Sequence, residues 1–529
     1  MKLFSGSGSR VNNTKGTRGS SSRKSSTPYQ DYSSDYNGAV WEDDEPRVVK
    51  SDGFAETKAY RSTSYDGQES PYDGLDYDEN AGQSARNYSY YAVEGSDKKQ
   101  KKRRKRKRRL ITCSVILVAM VGIYCLCVFS NIPFIEKWRT IYIETALMTR
   151  THQWLATAFI PKSVVDEVRA KIDATDRLQE DLESDWSGSE PISTTVLPAI
   201  TKPENSDGNG DDSETTDEIP FWEDPWSDFC LTYTELDMDS FAAYAEEHED
   251  EMYDEDGNLF IDEAGLDDEG TTIQTVHGDQ VLALDTVHGI TIARLSGGSG
   301  LEQYCGVIAI VKDPSRVGVA VAERLGVVGQ KIAGIAEDND AILAINASGF
   351  EDDGGVGNGG IVYGLLVSGG EKLADSDGGT YKAVYLDYDN RLHVGSWSPT
   401  NNIRDGVEFK PALVVNGEQV ISGSAGWGTQ PRTAIGQTED GSIIMIVIDG
   451  RQPGYSVGIT VGELAEIFIK YGAVQALNLD GGSSSIMYFN GRKITQPSGG
   501  DKENGRYLPD AFVVYANRKA TDGLTRPEE

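Results

Sequence analysis

Ile443-Ile-Met-Ile-Val-Ile448 runs into Asp449-Gly450-Arg451, and Val474-Gln-Ala-Leu-Asn478-Leu479 runs into Asp480-Gly481-Gly482-Ser483-Ser484. Each run is apolar, shorter than an ordinary helix, and stops abruptly at acid and glycine, which reads as a buried strand ending in a turn. Similar runs recur at 281–284, 290–293, 307–311, 341–345, 361–366, 383–386, 412–415, 485–488 and 511–515. Helical spacing interrupts them at 321–336 and 461–471, the second opened by the capping box Thr460-Val-Gly-Glu463. The pattern predicts an α+β domain over residues 272–518, a mixed β-sheet with flanking helices, followed by a short tail at 519–529.

Polar residues cluster where these runs end. Asn346 closes the run at 341–345, and Arg432-Thr433 follow Gln430-Pro431. Asp449 and Arg451 follow one apolar strand; Asn478, Asp480, Gly481, Gly482 and Ser483 follow another. Strand ends bearing acid, amide and guanidinium, with glycines that let a ligand approach the backbone, are where such proteins place sites. An isolated Asp-Gly pair is an ordinary hairpin turn. Two carboxylates after two strongly apolar strands, with two arginines nearby, point to a site instead.

Several familiar chemistries are excluded. Gly454-Tyr-Ser456-Val-Gly458 has the form of a nucleophile elbow, but all five histidines precede Ser456, so that fold's triad order cannot be built. Gly355-Val-Gly357-Asn-Gly-Gly360 is preceded by Glu351, Asp352 and Asp353 and followed by a β-rich run, the wrong setting for a pyrophosphate. Asp254-Glu-Asp-Gly257 places its glycine too early for an EF-hand loop, and Asp256-Gly257-Asn258 reads as a hairpin turn.

Residues 98–109 are basic at every position except Gln100, and 110–130 contain no charged residue across 21 positions. A run of that length spans a bilayer as one transmembrane helix (110–132), and the basic flank places the N-terminus in the cytoplasm and the rest outside. The basic segment should hold anionic lipid headgroups. Residues 1–97, rich in Ser, Tyr, Gly and Asp, read as a disordered tail. Residues 133–184 read as a helical stalk, and 185–271 as an acidic linker whose aromatics Phe221, Trp222 and Trp226 dock on the following domain. The net charge of −34, with neither Lys nor Arg between Lys202 and Arg294, leaves no nucleic-acid partner. Cys230 and Cys305 either pair or stay free.

Gln430-Pro-Arg-Thr-Ala-Ile-Gly436, Ile448-Asp-Gly-Arg451 and Asn478-Leu-Asp-Gly-Gly-Ser-Ser484 resemble, in order and spacing, the phosphodiester glycosidase family. These are relatives of N-acetylglucosamine-1-phosphodiester α-N-acetylglucosaminidase, with bacterial members labelled as exopolysaccharide-biosynthesis proteins. The chain departs from the family at Asn346-Ala-Ser-Gly-Phe350, where many members read Asn-Gly-Gly-Phe. The resemblance implies hydrolysis of a glycan or sugar-phosphate substrate at the glycosidic bond. Glycosidases commonly use two carboxylates, here Asp449 and Asp480. Arg432 and Arg451 suit a departing phosphate, Asn346 and Asn478 the sugar hydroxyls, and the N–H groups of Gly481, Gly482 and Ser483 an anion nest. The sequence requires no cofactor; a divalent cation between the acids is compatible with it.

Overall fold

The computed structural model describes residues 81–148, 153–189, 192, 199–202, 219–265, 270–352, 357–378, 380–398 and 402–526. Residues 1–95 and 96–529 are separate units. Most of the predicted disordered tail, and part of the 355–360 motif, lie outside the described residues. Residues 81–97 of that tail are helical, the first turns of helix α1 (Ala81–Phe129). A helix already nucleated by an apolar span adds turns at little further cost. Within Lys99–Phe129 this helix carries a stretch long and apolar enough to cross a membrane, by length and composition.

Among the described residues the strands form three sheets in which every pairing is antiparallel. The largest runs β1 (Phe260–Asp262), β2 (Gln280–Asp285), β3 (Ile290–Gly297), β4 (Tyr304–Val311), β15 (Ile443–Ile448), β14 (Arg432–Thr438), β16 (Ala473–Asn478), β12 (Ala412–Val415), β13 (Glu418–Gln419). A second runs β10 (Leu392–Gly395), β9 (Lys382–Leu386), β11 (Asp405–Phe409), β7 (Leu366–Ser368), β8 (Glu371–Ala374). The third runs β18 (Arg492–Lys493), β17 (Met487–Phe489), β6 (Ala341–Asn346), β19 (Asp510–Tyr515), β5 (Val317–Val321). The α+β class stands, but the sheets are antiparallel rather than mixed. Parallel neighbours need a long crossover, and many of these strands are joined by tight turns.

The largest sheet is covered on both faces, which is why β15 is apolar at every position. Met445 and Val447 face a core shared with Leu343, Ile345 and Phe512 of the third sheet. Ile444, Ile446 and Ile448 face helix α8 (Val461–Lys470), through Leu464, Ala465 and Phe468. The predicted capping box at Thr460 and Glu463 is formed. The other predicted helix is shorter. Residues up to Val321 are strand β5, and helix α7 spans only Ile332–Asp338, because Gly326 turns the chain at φ +86°. Likewise the chain turns at Gly364, φ +79°, and of the run expected at 361–366 only Leu366 enters a named strand, as the first residue of β7.

The segments before the domain are docked onto it. Helices α2 (Pro133–Met148), α3 (Trp154–Ala158) and α4 (Lys162–Gln179) share a small core of Ile143, Ala156, Val165 and Val168. The Gln179 amide donates to the Ala412 carbonyl and accepts from the Ala412 N–H, both at 3.0 Å, so the end of α4 is fastened to β12. The segment expected as a linker carries helices α5 (Asp228–Thr232) and α6 (Met238–His248) over an aromatic core. Phe221 and Trp222 join it, whereas Trp226 stays exposed. Its acidic residues hid a buried set of Phe229, Phe241, Leu259 and Ile261. Cys230 and Cys305 are both free thiols. The Asp256–Asn258 turn forms as read, with Asp254 accepting from the N–H groups of Asp256 and Asn258.

Candidate functional site

Antiparallel pairing brings strand exits and strand entries to one edge. Ile448, the end of β15, pairs with Arg432, the start of β14; Asn478, the end of β16, pairs with Ala434. In the third sheet Asn346, the end of β6, pairs with Ala511 at the start of β19. Asp449, Asp480 and Asn346 therefore gather at an edge that also collects Arg432 and Asp510.

Asp480 stands partly exposed at the centre. Its N–H donates to the Ala347 carbonyl (3.0 Å), and its own carbonyl accepts from Asn346 Nδ2 (2.6 Å). Burial pushes its carboxyl up to about 6, against the Ser484 hydroxyl and the nearby Arg506 charge. Asp510 is fully buried behind it, accepting from the Ser348 N–H (2.8 Å) through one oxygen while the other has no partner. Burial lifts it to about 6 as well, with Asp480 adding like-charge repulsion. Arg506 lies on the Phe350 ring at 4.7 Å, pairs with Asp352 (2.8 Å) and donates to Ser483 Oγ (3.2 Å).

Asp449 is 2% exposed. Tyr455 Oη donates to its Oδ2 (2.9 Å) and the Gln496 N–H to its Oδ1 (2.8 Å). Burial nevertheless raises it to about 7. Arg451 follows in the left-handed region at φ +58° and donates from Nε to Gln430 Oε1 (2.9 Å). A side chain at Gly482 would come within 3.0 Å of Arg451 Nη2, so glycine there keeps room for the guanidinium.

Other expected site residues are committed elsewhere. Arg432 is buried and donates to the carbonyls of Trp427 (2.9 Å), Gly428 (2.8 Å) and Ile459 (3.3 Å). It fastens a loop that Glu144 of α2 also holds, through the Gly426 N–H at 3.0 Å. Its Nε and Nη2 are thereby committed to backbone carbonyls, which takes them away from the expected phosphate fork. Thr433 Oγ1 donates to Asn346 Oδ1 (2.8 Å), which also accepts from the Ile486 N–H (3.1 Å). Asn346 and Thr433 thus stitch the two sheets beneath Asp480 rather than offer themselves to a sugar. Asn478 Nδ2 donates to the carbonyls of Lys410 (2.9 Å) and Leu479 (3.0 Å). β16 ends at Asn478, so pleat alternation does not carry it to the side of Asp480. The anticipated nest is also altered: the Gly482 N–H donates to the Pro431 carbonyl (3.0 Å) and the Gly481 N–H serves Asp480 itself, while Ser483 offers Arg506 its hydroxyl. Ser456 Oγ is buried, donating to the Asp449 carbonyl (2.6 Å) and accepting from the Cys305 N–H (3.0 Å).

Arg506, Asp510, Asp352 and Tyr455 were not singled out from the sequence. The sequence signal for Asp510 is a carboxylate at the entry of an apolar strand, the mirror of the exits at Asp449 and Asp480. Among the described residues no group of three or more His, Cys, Asp or Glu is arranged to hold a metal ion.

Parts of the chain are similar to known proteins. The SPbeta prophage-derived uncharacterized protein YomE of Bacillus subtilis is 30% identical over 185 residues, 32% of this chain and 28% of that protein. N-acetylglucosamine-1-phosphodiester alpha-N-acetylglucosaminidase of Bos taurus is 36% identical over 73 residues, 14% of either chain. The chain therefore spans under a third of the length of these relatives. Among solved structures, the pro-peptide-inhibited catalytic domain of the zebrafish enzyme of that name aligns with a TM-score of 0.37 at 19% identity, over 43% of this chain and 82% of that one. Residues 339–515, which contain Asn346, Arg432, Asp449, Asp480, Arg506 and Asp510, match the family profile described as phosphodiester glycosidase, and the chain carries a domain of that family.

Proposed function

We propose that this protein is a membrane-anchored phosphodiester glycosidase that hydrolyses a sugar-1-phosphodiester of an envelope glycan, with its N-terminus in the cytoplasm and residues 133–529 outside. The supporting observation is the pair of raised carboxyls, Asp480 at about 6 and Asp449 at about 7, at exits on either side of β14. Groups titrating near neutrality are suited to exchange protons at working pH. Asp480, the more accessible, meets the sugar; Asp449 acts from behind through the Tyr455 hydroxyl. A phosphate leaves as a stable anion, so it needs charge pairing more than protonation. Arg451 and Arg506 supply that role in place of Arg432. The basic segment 98–109 rests against anionic headgroups.

The test is hydrolysis of glycosyl-1-phosphodiesters by the full chain in detergent, run in oxygen-18 water. Label in the released sugar is expected, since water then enters at carbon. Label in the phosphate, with activity abolished by chelator, would instead mean a metal-dependent phosphodiesterase. Binding of the substrate without turnover would mean a glycan-binding module.

A further inference from the structure

The apolar surface that the site does not use gathers beside the far end of α1. Residues 153–161 read Gln-Trp-Leu-Ala-Thr-Ala-Phe-Ile-Pro, without a charged residue, and Lys162 follows. Ala156 is buried in the core of α2–α4, with Leu155 and Ile160 partly buried against it. Trp154 and Phe159 point away from that core, 56% and 68% exposed. Single exposed aromatics are common on soluble proteins. These two are placed by hydrogen bonds to their neighbours. Tyr124 Oη, from within the apolar part of α1, donates to the Phe159 carbonyl at 2.7 Å, and Tyr142 Oη of α2 donates to the Leu155 carbonyl at 3.2 Å.

Tyr124 lies five residues before Phe129, the last residue of α1, so it stands about 8 Å below that end at 1.5 Å per residue. The end itself is marked by Arg139, whose Nη1 donates to the carbonyls of Val128 (3.0 Å) and Ser130 (2.8 Å). These are carbonyls a helix terminus leaves without intrahelical partners. Phe159 is thus held alongside the span, below its polar rim.

We propose that residues 154–160 form a lip that enters the outer interface of the bilayer beside α1, with Trp154 and Phe159 in contact with lipid. This rests on the reading of α1 as a membrane span. The composition fits: aromatic rings favour the headgroup level, and the exposed Lys162 can extend toward anionic headgroups. The backbone fits too, because the carbonyls of Leu155 and Phe159 keep tyrosine donors where water is scarce. Since α4 is fastened to β12 through Gln179, the lip sets the orientation of the catalytic edge over the membrane.

Photocrosslinking of the full chain in its membrane tests this. p-Benzoylphenylalanine would replace Trp154, Phe159, Val118 in mid-span, or Leu231, an equally exposed apolar residue of α5. Lipid adducts, read by mass spectrometry, are expected at 118, 154 and 159 and not at 231. Adducts at 118 but not at 154 or 159 overturn the lip and leave the span standing. Their absence at 118 as well overturns both readings. Adducts at 231 as frequent as those at 159 also overturn the lip, since the contact would then be indiscriminate.

Discussion

The exits of β15 and β16 each deliver an Asp-Gly pair, one on either side of β14, into different surroundings. Asp449 is sealed, both carboxylate oxygens accepting from Tyr455 and Gln496. Asp480 is partly open, its charge favoured by Ser484 and Arg506 and opposed by the acids Asp352 and Asp510. Both carboxyls are raised by burial, but only one has a free approach. The difference arises from other parts of the chain, the following loop at Tyr455 and the more distant Gln496 in one case and residues 352, 506 and 510 in the other. An Asp-Gly pair fixes where a carboxylate emerges; its neighbours decide what the carboxylate can do.

The largest expected effect sharpens that contrast at the open exit. Asp480→Asn keeps the backbone bonds to Ala347 and Asn346, because neither involves the side chain. It removes the proton-exchanging group, so kcat should fall about a hundredfold or more. The melting temperature at about pH 8 should stay level or rise, since an ionised carboxylate no longer has to be buried. Retention of near-normal turnover would make Asp480 a turn residue and cancel the distinction.

The sealed exit should show itself in stability. Asp449 titrates near 3.9 when unfolded and at about 7 when folded, so between those values the folded state holds the extra proton. Its contribution is complete below the unfolded value and is lost as pH rises through about 7, on the order of 4 kcal/mol at most. In Asp449→Asn the amide carbonyl still accepts from Gln496, and the Tyr455 hydroxyl can turn to accept from the amide N–H. Thermal denaturation should therefore find the variant more stable than wild type at about pH 8 and similar to it near pH 4. Equal pH profiles would show that Asp449 ionises without penalty.

How much of this was legible follows the same physics. Ile443–Ile448 is apolar on both faces, so β15 and its exit could be read directly. Asp510 and Arg506 could not be joined to Asp480 from sequence, because the edge they share exists only once β19 pairs with β6. For Arg432 the sequence makes its position at the edge legible but not its direction, so it suggests a substrate ligand. It points to the loop held by α2, while its neighbour Thr433 points to Asn346. The three motifs that carry the family resemblance lie within the matched residues 339–515, whereas the docking of α2–α4 depends on Gln179 and Glu144, which have no distinctive sequence setting.

The smallest expected effect on turnover is at Ser456, and it tests whether the sealed exit is held as described. Ser456 Oγ joins the Asp449 carbonyl to the Cys305 N–H, so it braces the backbone from which the carboxylate emerges. Ser456→Ala leaves a donor on β4 without its partner, a loss of about 1–3 kcal/mol in stability. The Asp449 N–H still donates to the Cys305 carbonyl at 2.9 Å, and the carboxylate keeps Tyr455 and Gln496. Its position should therefore survive, with turnover within a few-fold of wild type while the denaturation midpoint falls. A nucleophilic serine would give the opposite pattern: turnover lost by orders of magnitude and Ser456 labelled by a fluorophosphonate. That result would move the chemistry from the open exit to the sealed one, and reverse the roles assigned to Asp480 and Asp449.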